Sequence, residues 1–332
     1  MKNHPVYFRY TNSYLIPNSV AEVKFSISED EPIPLNNNEW VRFWVSQANF
    51  WGNQRGYLCI SIEFADFSSL TGSLFNAEIP LDKGSQKSLD EVVLAQRKLL
   101  TTRPDDLLRL FRWLTGLPFE LKNKRQLIPF QWSIDQINWV DVPFDNQAQG
   151  VLFDIVGGHP TETVNRDLIE SLIVPNLHLA EPLGHDLLIE AYRLRESNDL
   201  RGAFTIGYSA LEVGVKEYVQ KRIPETKWLM EKSPSPDMLK MCSQYLPSLD
   251  RRLDIKDTLE KRLIRKYMES RNTLVHEGKF EESDQTVIKK LCMVEYMLHR
   301  FDYCLGLDRA LLYVEKAKYR MDHLGIEDLP KE

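Results

Sequence analysis

The sequence predicts an α+β protein: an N-terminal β-rich domain with a helical insertion, joined to a C-terminal all-α helical bundle. Three observations predict it. Six of the seven tryptophans (Trp40, Trp44, Trp51, Trp113, Trp132 and Trp139) precede residue 180. Several stretches of the first half are aromatic and β-branched, with turn signals between them. After Gly184 the apolar residues recur at helical spacing. At roughly 100–200 residues per domain, a chain of 332 residues makes two or three domains.

Taken in order, residues 20–27, 41–45, 57–64 and 131–140 read as strands. Pro32-Ile33-Pro34, Asn36-Asn37-Asn38, Trp51-Gly52-Asn53 and Lys83-Gly84-Ser85 read as the turns between them. Residues 88–100 and 105–114 carry helical spacing and are separated by Pro104, which defines the insertion. The first domain is thus 1–150. Residues 151–182 read as a connector, with a Gly157-Gly158-His159-Pro160 turn and breaks at Pro175 and Pro182. The bundle spans 183–306, and 307–332 form a C-terminal helix and tail.

Within the bundle, helices are expected over 183–197, 200–221, 237–245, 255–277, 284–305 and 308–323. Asn198-Asp199 introduces the second of these, and Gly278 and Gly306 end the long ones as C′ residues. Val287, Leu291, Val294, Leu298, Phe301 and Leu305 form a heptad-like seam. Ala203, Gly207, Ala210 and Gly214 form a seam of small residues. A helix-interior Gly costs ~1 kcal/mol relative to Ala, so two on one face imply close approach of a neighbour.

Composition excludes several function classes. The formal charge is −6, so the whole molecule is no general nucleic-acid binder, and any such binding needs a local patch. No apolar run approaches the ~18 residues of a membrane helix. The opening Met1-Lys2-Asn3-His4-Pro5 leads into a run too short and polar for a signal peptide. Cys59, Cys242, Cys292 and Cys304 form no C-x-x-C pair, which fits a reducing cytoplasm and argues against a zinc cluster. His159, His178 and His185 share no ligand spacing, and His299 beside Arg300 reads as a surface residue, so neither metal nor cofactor is expected. Gly157-Gly158 lacks the Gly-Lys-Ser/Thr of a phosphate loop.

One residue breaks the pattern. The stripe Ile264, Tyr267, Arg271, Leu274 places an arginine in an apolar register, where it must snorkel, find an acid or line a cleft. Asn272 and His276 are four apart and share a helix face, and His276 lies in the last turn before Gly278. An imidazole there can trade protons near neutrality. Glu212, beside the small-residue seam, offers an acid to pair Arg271 or orient His276.

The segment Arg271-Asn272-Thr273-Leu274-Val275-His276 resembles the R-x4-6-H motif of HEPN domains, with the polar residue that often follows the arginine. In that family the motif ends the third helix of a bundle, and a preceding helix often carries an acid in a Ser-Ala-Leu-Glu-like stretch, similar to Ser209 to Glu212. Val275-His276-Glu277-Gly278 also resembles the Apea-like branch. The resemblance covers the bundle and not the β-rich half.

The resemblance implies a metal-independent endoribonuclease in which the RNA 2′-OH attacks the adjacent phosphate. His276 would be its acid or base, Arg271 would hold the phosphate, Asn272 would orient the phosphate or His276, and Glu212 would position either. It further implies a homodimer with two Arg/His sets facing one RNA, and a toxin or antiviral defence role answering to a regulatory protein partner. Eight bases fall between Arg251 and Arg271, among them Lys261, Arg262, Arg265 and Lys266. They read as a solvated helix face diluted by acids, or as a track for the RNA backbone. Two other readings stand beside the nuclease. One is a non-catalytic HEPN module that binds nucleotide, RNA or a protein partner. The other is a scaffold in which Arg271 is buried against Glu212.

Overall fold

The computed structural model describes residues 6–15, 24–26, 32–50, 53–66, 100, 102–116, 121, 124–125, 130–133, 136, 140–142, 163–232, 237–255 and 259–324. The chain divides into two compact units, Met1–Ala180 and Glu181–Glu332. The first holds an antiparallel sheet, and the second is predominantly helical.

The sheet comprises β1 (Val6–Leu15), β3 (Ile33–Asn36), β4 (Glu39–Phe50), β5 (Asn53–Asp66), β6 (Lys124–Arg125), β7 (Phe130–Ser133) and β8 (Val140–Val142). Its order is β3-β4-β5-β1-β7-β8, with β6 also on β1. Between β1 and β3, β2 (Lys24–Ser26) pairs in parallel with β9 (Thr163–Asn165). β4 and β5 are the long partners, running from Glu39 opposite Phe64 to Phe50 opposite Asn53. On one face of β1, Asn12 and Tyr14 both donate to Asp105, the Tyr14 hydroxyl at 2.6 Å. Asp105 lies in the first turn of α1 (Arg103–Thr115), so this contact seats the helix on the sheet, where Phe111 meets Phe43. On the other face the cross-strand pairs are polar and buried. Thr11 donates to Ser61, and Arg9 and Arg42 both grip Glu63, which is 1% exposed.

Two local expectations are corrected. Residues 131–140 are not one strand: β7 and β8 pair as an antiparallel hairpin, with Gln136 at φ 60° in the reversal and its N–H bonded to Ser133 Oγ. Pro34 lies inside β3 rather than in a turn, which an edge strand tolerates because it needs no outward donor. Pro104 occupies the first turn of α1, where its missing N–H costs nothing. Most of the other expected helix, 88–100, lies outside the described residues, as do Lys83-Gly84-Ser85 and Gly157-Gly158-His159-Pro160. The expected connector carries β9, α2 (Arg166–Leu172) and a 3₁₀ turn (Val174–Asn176), and falls within the first unit up to Ala180.

The second unit contains α3 (Leu183–Glu196), α4 (Leu200–Arg222), α5 (Leu259–Glu277), α6 (Asp284–Cys304) and α7 (Ala310–His323). Short helical turns fill the space between α4 and α5, one of them a π segment, Met241–Tyr245. Asn198 at φ 62° turns the chain, and Asp199 caps α4 by accepting from Gly202 N–H at 2.8 Å. The two predicted seams meet each other. Ala203, Gly207, Ala210 and Gly214 are buried, and a Cβ on Gly207 or Gly214 would collide with Leu291 or Leu298 of α6. Gly184 approaches as closely from α3, against Leu298 and the Gly214 backbone. One core therefore joins α3, α4, α5 and α6, and α7 adds Met321 to it. Among the described residues no helix is long and apolar enough to cross a membrane.

Candidate functional site

The C-terminal end of α5 is fixed by what its apolar stripe buries. Leu263, Ile264, Tyr267 and Leu274 face the core. The Tyr267 hydroxyl donates to the Phe204 carbonyl at 2.6 Å and pins α5 to α4. Beneath the last turns lies an ion pair that sequence reasoning missed: buried Lys290 of α6 donates to Glu282 at 2.6 Å and to Ser270 Oγ at 3.2 Å. Its ammonium also faces the rings of Phe204 and Tyr267. Burial pushes the Glu282 carboxyl up, but Lys290 and Ser270 outweigh it and hold the group below its ordinary value. Glu282 sits in a loop eight residues before Lys290, a separation with no helical signature. The helix then stops at Gly278, at φ 71°, whose N–H bonds the Leu274 carbonyl at 3.0 Å, and Phe280 packs edge-on against Phe204.

Arg271 leaves this stripe at the rim of the core. Its guanidinium carbon stands 5.6 Å from the centre of the Tyr208 ring, and one amine is 3.4 Å from Asn272 Oδ1. Tyr208, a second missed residue, lies one helical turn before Glu212 on α4 and feels both Arg271 and Glu212. Burial raises its hydroxyl pKa, Arg271 opposes, and Glu212 adds to the rise. Glu212 itself pairs with Lys216 at 3.1 Å rather than with Arg271. The expected Arg271–Glu212 ion pair is therefore replaced by an i,i+4 pair along α4, the geometrically cheaper choice. Among the described residues Arg271 has no carboxylate within ion-pair distance. Asn272 and His276 are exposed, and Val275 between them is 57% exposed.

The helix end thus presents a guanidinium stacked on a phenol ring, a carboxamide beside it and an imidazole in the last turn. A cation with no counter-ion among the described residues, on a half-buried rim, is suited to hold an anion such as a phosphate. Of the basic run on α5, Arg262 and Arg265 are exposed, while Lys261 and Lys266 are half-buried. Arg252 is matched by Asp250 instead.

Comparison with protein-family models, curated proteins and solved structures finds no match to this chain. The geometry of these residues alone bears on function.

One histidine expectation is corrected. His299 is not a surface residue: it is 6% exposed, on the inner face of α6. His185 lies instead beside His299 and Asp302, a grouping that spacing along the chain did not suggest. His178 is exposed, and His159 lies outside the described residues.

Proposed function

We propose that the second unit is a HEPN-type domain and that it cleaves RNA through Arg271, Asn272 and His276. The observation that carries this reading is the Arg271 guanidinium, without an ion-pair partner among the described residues, set over Tyr208 beside Asn272, on the helix whose last turn exposes His276. In the proposed step the RNA 2′-OH attacks the adjacent phosphorus and the bond to the 5′-oxygen breaks. A cyclic 2′,3′-phosphate and a 5′-hydroxyl result. One imidazole takes the 2′-OH proton and another gives a proton to the leaving oxygen. Arg271 neutralises the charge that builds on the non-bridging oxygens, and Asn272 orients the phosphate. Glu212 acts at one remove, through the Tyr208 hydroxyl and Lys216. Arg262, Arg265, Lys261 and Lys266 supply the non-specific attraction to the RNA backbone. A toxin or defence role, a cytoplasmic location and control by a protein partner belong to the same reading.

The test is purified protein with an RNA pool and no added divalent cation, read by the termini of the fragments. The wild type is expected to leave cyclic 2′,3′-phosphates. His276→Ala is expected to lose about 10²–10⁴-fold in rate and Arg271→Ala about 10²–10³-fold. Cleavage that survives both substitutions would exclude this site.

A second reading has its own observation in favour. Glu212 is engaged by Lys216, and among the described residues nothing forms a hydrogen bond that would fix the His276 ring. A module that binds RNA or nucleotide phosphates through Arg271 without cutting them needs no oriented imidazole. It would lose affinity in Arg271→Ala and keep it in His276→Ala.

A further inference from the structure

His185, His299 and Asp302 sit together inside the second unit, each no more than 6% exposed. They come from two helices that the small-residue seam draws together. Gly184 starts α3 hard against Gly214 and Leu298, which carries His185 onto α6. His299 and Asp302 are three apart on α6 and share its face. His185 Nε2 lies 2.8 Å from Asp302 Oδ2, and His299 Nδ1 lies 4.0 Å from the same oxygen. All three ligand atoms fall within 4.8 Å of one another.

We propose that this cluster is a binding site for a divalent first-row transition metal of the zinc class. Two imidazoles and one carboxylate are the donor set of three-ligand zinc sites, in which a water takes the fourth position. Ligand atoms of a tetrahedral zinc site stand about 3.3 Å apart, from metal–ligand lengths near 2.0–2.1 Å. The observed 2.8 and 4.0 Å bracket that value, so small side-chain rotations close the site. The fourth position has an approach. A crevice lined by Pro182, Glu217, Tyr218 and Lys221 reaches both His185 and Asp302. Glu217 is committed there to the α3 N-terminus, accepting from the N–H groups of Leu183 and Gly184, so water is the available ligand.

A buried carboxylate beside two buried rings costs several kcal/mol unless a positive charge joins it. A divalent ion would take both rings in their neutral form. The site shares no residue with Arg271 and His276, and it stands whether or not the protein cuts RNA.

The test uses the full chain, stripped by chelator and dialysis and then titrated with Zn²⁺ by calorimetry, with bound zinc counted by elemental analysis. One equivalent per chain is expected. At zinc a hundredfold above its dissociation constant, the melting temperature of the unit should rise by about 5–10 °C. Asp302→Asn and His299→Gln are expected to lose both effects, and His276→Ala, an exposed imidazole elsewhere, to keep them. Should the first two variants fail to fold, the wild type loaded with Co²⁺ decides, because a four-coordinate site gives intense visible absorption. No stoichiometric zinc on the folded wild type would overturn the proposal and leave the His185–Asp302 contact as a feature of the core. So would zinc retained in folded Asp302→Asn, or only the weak absorption of six-coordinate Co²⁺.

Discussion

Two arginines of one basic run show how differently a single residue type can be used. Arg271 has no acid partner among the described residues, and the proposed function depends on that. Arg252 is held by Asp250, which accepts from its side chain at 2.7 Å and from its backbone N–H at 3.0 Å. The same guanidinium reaches the Cys304 carbonyl at the end of α6, so Asp250 ties the 3₁₀ turn Arg251–Leu253 to the bundle. These hydrogen bonds from Arg252 hold the Asp250 carboxyl down at about 2. A folded value below the unfolded ~3.9 means the pair stabilises fully above pH ~4 and loses that contribution as the pH falls towards 2. Asp250→Asn should therefore lower the melting temperature at pH 6, and the gap from wild type should close on acidification to pH 2. Thermal melts across that range check it, and a gap that stays constant with pH would show that Asp250 acts only as a neutral cap.

At the level of elements, the contact between α4 and α6 is the most exacting in the bundle. Gly207→Ala gains up to ~1 kcal/mol of helix propensity but drives a methyl into Leu291 Cδ2 and the Tyr267 hydroxyl. The hydroxyl cannot retreat without giving up its bond to the Phe204 carbonyl. A net loss of about 1–3 kcal/mol is expected in urea unfolding. Leu291→Ala in the same chain should recover part of it, a coupling that a double-mutant cycle measures. Both partners of this contact were legible as stripes, because helical periodicity writes a buried face directly into the sequence. The five long helices were legible for the same reason, with caps at Asp199 and Gly278 marking their ends. β1 was not legible as a strand. Its central stretch Thr11-Asn12-Ser13 is polar yet buried, because Ser61, Asp105 and Cys59 satisfy it from elsewhere in the chain. The candidate site divides likewise. Arg271 stood out as a charge in an apolar register. Tyr208, the Lys290–Glu282 pair and the His185–His299–Asp302 cluster depend on which helices meet, and no local spacing encodes that.

For the whole molecule, the proposed chemistry would set the number of chains. Transesterification of RNA needs one group to take a proton from the 2′-OH and another to deliver one to the leaving oxygen. Each chain brings a single His276 to the α5 terminus, so the proposed reaction calls for a second copy related by a two-fold axis. The surface there suits such a partner, since Val275 stands 57% exposed between Asn272 and His276. A composite site has two signatures. Specific activity should rise with chain concentration and level off in step with the dimer fraction seen by sedimentation. Mixing equal amounts of wild type and His276→Ala should then inactivate every mixed dimer. With random exchange of protomers in a two-fold dimer, about a quarter of the activity of an all-wild-type preparation remains, and about half remains if each chain works alone. Where the dimer is too tight to exchange, unfolding and refolding the two proteins together forms the mixed dimers, and the same two values separate a shared site from an independent one. A value near one half would move both proton transfers into one chain, and the second group would then have to be sought around Tyr208, which already faces Arg271.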